Sequence, residues 1–190
     1  MKTYLKITLA LSTVFFASSE LFAQDHKDDS HTITITIPEV ALLDLESTTA
    51  KNFVAAFTHD DEAGDPILPP GSNATIWLNY SSILKSTSPT QGRNISVVAS
   101  GIVPGVTIHV VAAPATSGGR GTLGSPSGQL TLSAASQNII TGVGSAYTVS
   151  GVSNGHLLTY SFLVEDGNYA ALRSGMTETP ITVTYTLADN

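Results

Sequence analysis

Residues 31–37 read HTITITI, a strict alternation of polar and apolar positions that sets Ile33, Ile35 and Ile37 on one face of an extended chain. Period two over such a stretch predicts a strand with one buried face. Pro38 interrupts it, Val40 to Leu45 resumes an apolar run, and Asn52 to Phe57 is a further candidate strand. The Pro/Gly/Asp-rich stretch Thr58 to Ser72 is expected to be a long loop. From Ala74 onward the pattern predicts strands at Ala74–Tyr80, Asn94–Ser100, Val106–Ala112, Gln129–Ser133, Leu157–Val164 and Pro180–Leu187. Gly, Pro and Ser clusters separate them; one is the Gly-Ser-rich passage 117–128, which reads as a hairpin loop. Val, Ile and Thr dominate the periodic segments, and their branched side chains favour strands over helices. Short, regularly spaced strands of this kind predict an all-β fold, a single-domain antiparallel β-sandwich over residues 31–190. The expected core is Ile33, Ile35, Ile37, Trp77, Ile95, Val97, Leu130, Leu132, Tyr160, Phe162, Val183 and Tyr185. Slipping any strand by one position would expose its whole apolar face.

The start of the chain follows a different pattern. Lys2 and Lys6 precede a mostly apolar run from Ile7 to Ser18, and small and polar residues lead to Ala23-Gln24. This is the three-part plan of a secretory signal peptide, residues 1–23, with Leu21 larger than the usual residue at the −3 position. The expected location is secreted, periplasmic or cell-surface. Residues 24–30 (QDHKDDS) have nothing to bury and read as a flexible leader. No later stretch approaches the ~20 apolar residues of a membrane span, so no membrane insertion is expected after cleavage. With no cysteine in the chain, disulfides are excluded, and core and sheet hydrogen bonds must hold the domain. The formal net charge is −7 and no Lys/Arg cluster offsets it, which argues against a nucleic-acid partner.

Candidate chemistry is sparse. His26, His31, His59, His109 and His156 are scattered, with no spacing that suits zinc. The loop HDDEAGD gathers Asp60, Asp61, Glu62 and Asp65, hard oxygen ligands of the kind calcium takes, although their order is not that of an EF-hand. No other cofactor is expected. Gly124-Ser-Pro-Ser-Gly128 has the glycine spacing of a nucleophile elbow, but Pro126 occupies the nucleophile position. A hydrolase built on a distant carboxylate pair is the remote alternative; the expectation is no enzyme. The sequons at Asn73, Asn79 and Asn94 are those a Ser/Thr-rich strand protein produces by chance. Tyr80, Tyr147 and Tyr169 lie near predicted strand ends, where aromatic rings could offer a platform to a glycan.

The block HTITITIPEVALLDLE resembles the opening of alpha-type (class 5) fimbrial major subunits. Gly167-Asn168-Tyr169 followed by Pro180–Leu187 looks like the ending of pilin-like sandwiches. Much of the chain, including Trp77-Leu-Asn-Tyr-Ser81 and Gln137–Gly144, is similar to uncharacterised exported proteins of Bacteroidetes-type bacteria, while the insert 113–156 departs from a simple major pilin. The resemblance implies an incomplete immunoglobulin-like, pilin-like sandwich that assembles at the cell surface. The expected function is therefore that of a non-enzymatic envelope or extracellular structural protein, fimbrium-like or adhesive, with itself or another envelope protein as partner. The alternative is a glycan- or protein-binding module. The strand carrying Ile33, Ile35 and Ile37 either completes its own sheet or fills the open edge of a neighbour, with Pro180–Leu187 as the acceptor edge.

Overall fold

Among the described residues strand pairing begins at Val40. The computed structural model describes residues 27–87, 92–175 and 180–190. Among them nine strands form: β1 (Val40–Ser47), β2 (Asn73–Ile83), β3 (Arg93–Ser100), β4 (Thr107–Ala112), β5 (Arg120–Pro126), β6 (Leu130–Thr131), β7 (Gln137–Tyr147), β8 (His156–Leu163) and β9 (Thr182–Asp189). Every ladder is antiparallel, and the fold is an all-β, sandwich-like domain. The hydrogen-bonded order is β6-β4-β8-β2-β7-β3-β9, with β1 on β2 and β5 on β7. Pairing switches partner along β2. Residues 73–78 pair with β8, and Ser81 and Ser82 pair with Tyr147 and Ala146 of β7.

The period-two pattern explains the core. Ile76, Leu78 and Tyr80 of β2, Ile95, Val97 and Ala99 of β3, Ile108 and Val110 of β4, and Leu158 and Tyr160 of β8 are buried in one cluster. Each fully buried aliphatic side chain contributes about 1.5–3 kcal/mol. The Tyr160 and Tyr185 hydroxyls meet at 2.7 Å, tying β8 to β9 across the interior. Burial pushes both phenol pKa values up, for Tyr185 with the neighbouring Tyr160 adding to the effect.

Several expectations are corrected. Residues 31–37 belong to no strand, and Ile33, Ile35 and Ile37 are 72%, 80% and 73% exposed rather than core. Alternation supplies one apolar face, but a strand also needs a partner edge, and among the described residues none pairs with this segment. The compact body runs from Ile37 to Asn190. Trp77 is only half-buried because Ile76, Leu78 and Tyr80 occupy the inward positions of β2 and leave it on the other face. Leu130, Phe162 and Val183 pack on the core's margin, half-buried. Asn52–Phe57 is not a strand; instead the Phe53 ring packs on Tyr160 and Phe162, with centroids 5.7 and 6.2 Å away.

Two strands lie where loops or nothing were expected. In β5 the glycines are required by close approach. A Cβ on Gly121, which sits at φ +87°, would stand 2.1 Å from the Ser145 carbonyl oxygen of β7. In β7 the register against β3 shifts twice, and Ile139 and Ile140 are both buried, so the alternation is broken. Residues 1–23, read as a signal peptide, lie outside the described residues.

Candidate functional site

Three regions hold the residues singled out by the sequence. The first is the segment 31–37 with the strands that follow it. Its isoleucines face solvent, as above, and Pro38 leads directly into Glu39 and β1. Among the described residues β1 pairs only with β2, and β9 pairs only with β3, so each keeps one free edge. Apolar side chains of these two strands, Leu43 and Leu45 on β1 and Val183 and Leu187 on β9, pack on the core yet stay half-exposed.

One buried cation ties the two strands together. Arg93, 2% exposed at the head of β3, places Nη2 2.6 Å from the Glu39 carboxylate and Nε 2.8 Å from that of Asp189. Its Nη1 donates to the Val40 carbonyl and, at 3.1 Å, to the Ser82 hydroxyl. Lys85 lies 3.0 Å from the other Glu39 oxygen, a contact that pushes the Lys85 pKa up. A buried guanidinium is tolerated only when its fork is saturated in this way. The sequence reading missed Arg93; a lone arginine opening a strand carries no signal of its partners.

The second region is the tyrosines. Tyr80 cannot serve a glycan platform, because its side chain is buried in the core. Tyr169 sits on a 3-10 helix, Asp166–Ala171, and its hydroxyl accepts from the Ile67 backbone N–H at 3.2 Å. Tyr147 is 48% exposed at the end of β7. It lines two clefts, of about 340 and 450 Å³, that share Ser81 and adjoin β1 and β5. The three rings therefore form no common face. Beside Tyr147, Val149 takes φ +71°, a left-handed conformation that costs a β-branched residue about 1–3 kcal/mol. Thr148 holds it there: its N–H donates to the Tyr80 carbonyl at 3.1 Å, and its hydroxyl accepts from the Tyr80 N–H at 2.9 Å.

The third region is the acidic loop. Asp60, Asp61, Glu62 and Asp65 are all exposed, and the Asp60 carboxylate caps the Asp61 N–H at 2.7 Å. Among the described residues no three His, Cys or carboxylate side chains are grouped where they could hold a metal, so the geometry lends the calcium expectation no support. The loop turns its carboxylates outward, where mutual repulsion is relieved by water.

Inside the domain one titratable chain was not foreseen. His156 is fully buried, with Nδ1 2.8 Å from the Ala113 carbonyl and Nε2 3.2 Å from the Tyr80 hydroxyl, which itself donates to the Leu123 carbonyl. Burial lowers the His156 pKa, and the Ala113 hydrogen bond offsets this in part. Burial also pushes the Tyr80 phenol up. The chain links β2, β5 and β8 through side chains buried in the core, so its role is to position strands. Comparison with protein-family models, with curated proteins and with solved structures finds no match.

Proposed function

We propose that this chain is an exported, non-enzymatic structural protein of the cell envelope or extracellular space, whose copies join by strand addition. In this reading the His31–Ile37 segment of one copy completes the free edge of β9 in the next. The observation that carries it is the exposure of Ile33, Ile35 and Ile37, at 72–80%, in a segment without Gly or Pro and outside every ladder. Burying three isoleucines is worth about 5–9 kcal/mol before association costs, and a new ladder adds backbone hydrogen bonds to it. The half-exposed Val183 and Leu187 on β9 are suitable surfaces for those side chains. The export step rests on the residues 1–23 pattern. A glycan platform of Tyr80, Tyr147 and Tyr169 together has lost its support, since Tyr80 is interior.

The test deletes residues 24–38 and returns that stretch as a peptide. Strand donation predicts oligomer ladders for the intact mature protein in unheated gels. It also predicts a monomeric truncated domain whose melting temperature rises when the peptide is added. An intact protein that stays monomeric at high concentration after slow refolding refutes it.

A further inference from the structure

One surface is left over by the assembly reading. The ladder registers place Leu42 of β1, Ser81 of β2, Tyr147 of β7 and Arg120 of β5 in a single row across four strands. Leu42 and Tyr147 are exposed, while the small Ser81 between them and Ser145 nearby leave room on either side of the ring; these spaces are the two clefts. The Tyr147 hydroxyl has no hydrogen-bond partner among the described residues, and the rim at Val149 is held rigid by Thr148 as described above.

Arg120 is the informative member. Its Nη1 donates to the carbonyls of Ser117, Gly118 and Gly119 at 3.1, 3.4 and 2.8 Å, which fixes the guanidinium in place. Among the described residues its Nε and Nη2 donors have no partner and no carboxylate forms an ion pair with it. That is an uncompensated, oriented cation on a chain of net charge −7. The two remaining donors lie side by side on one edge of a planar fork, the geometry that takes both oxygens of a planar carboxylate. Beside it stand an exposed aromatic face, suited to the C–H face of a sugar ring, and serine hydroxyls suited to ring hydroxyls.

We propose that this face binds a saccharide bearing a carboxylate, a uronate-type sugar, with the ring stacked on Tyr147 and the carboxylate held by Arg120. The site does not involve the 31–37 segment, so it stands or falls apart from strand addition. Both side chains are exposed, and their replacement leaves the core intact.

The test is calorimetric titration of the full mature chain with tetragalacturonate and with its methyl ester, which keeps the ring and removes the charge. Saturable binding of the acid is expected, weaker by roughly tenfold or more for the ester and for Arg120→Gln and Tyr147→Ala. Arg120→Lys, which keeps the charge but loses the fork, should weaken it by a smaller factor. Unchanged melting temperatures confirm that the variants fold. Equal binding of acid and ester, or indifference to either substitution, overturns the proposal. So does failure of galacturonate, glucuronate and sialic acid oligomers alike to bind at millimolar concentration. Capture of a peptide of residues 27–37 in their place would assign the face to a second copy and also overturn it.

Discussion

Replacing Arg93 by Met removes the group that joins the first and last strands while keeping most of its apolar volume. The loss can be estimated contact by contact. The Asp189 carboxylate is 53% exposed, so its pair is worth only about 0.5 kcal/mol after solvent screening. The Glu39 carboxylate is 32% exposed and retains Lys85, giving about 1 kcal/mol. The Val40 carbonyl and the Ser82 hydroxyl lose a donor in a buried place, about 1 kcal/mol each. Together the cost is about 3.5 kcal/mol, or about 7–14 °C in melting temperature for a chain of this size. Urea unfolding followed by Trp77 fluorescence reads it, with an unchanged slope expected because the surface exposed on unfolding is the same. Glu39→Gln and Asp189→Asn should each cost about 1 kcal/mol or less. Hydrogen exchange should quicken in β1 before β3. If Arg93→Met is within ~0.5 kcal/mol of the parent, relief of the arginine's desolvation has cancelled its contacts, and the clamp reasoning fails.

Further outcomes follow from the interior. Gly121→Ala sets a Cβ against the Ser145 carbonyl at a positive φ and should destabilise by more than ~2 kcal/mol, readable as a lowered urea midpoint. His156 has a folded pKa below its ordinary value near 6.5, so the unfolded chain takes up a proton that the folded chain refuses. Stability should therefore fall as pH drops below about 6.5, by up to ~1.4 kcal/mol per pH unit, until the folded pKa is passed; His156→Gln should remove that increment, and an identical pH profile would refute it. Tyr160 and Tyr185 hold their protons in the folded state, so their contribution is complete below pH ~10 and is lost as alkali rises past it. Phenolate absorbance from these two rings should appear together with unfolding, and Tyr185→Phe, which removes the hydrogen bond that lowers the Tyr160 pKa, should move the remaining Tyr160 titration to higher pH.

Legibility followed local pattern. β2, β3, β4, β8 and β9 carry clean alternation, and their expected bounds agree with the structure within a few residues. β5 was hidden because the glycines that let it approach β7 are the residues that otherwise signal a loop. β7 was hidden because its register shifts place Ile139 and Ile140 inside in succession. The 31–37 segment shows the opposite failure: its pattern is the strongest in the chain, yet pattern encodes a face and not a partner. Site residues were less legible still. Arg93, Arg120 and His156 matter through neighbours 10 to 96 positions away or through what they lack, and a single sequence gives no sign of either. Tyr147 was singled out with two other tyrosines, but the fold sends one ring inward and engages another.

Arg93 holds Glu39 and Asp189, residues 150 positions apart, with one side chain. It thus closes the body into a loop without a covalent bond, in a chain that has no cysteine to do so. Such a staple exists only once folding is complete. It leaves the unfolded chain unconstrained and needs no oxidant or isomerase to set it. On the exported reading, the polypeptide can cross a membrane as an open thread and fasten itself on the far side, with either terminal strand barred from peeling away alone.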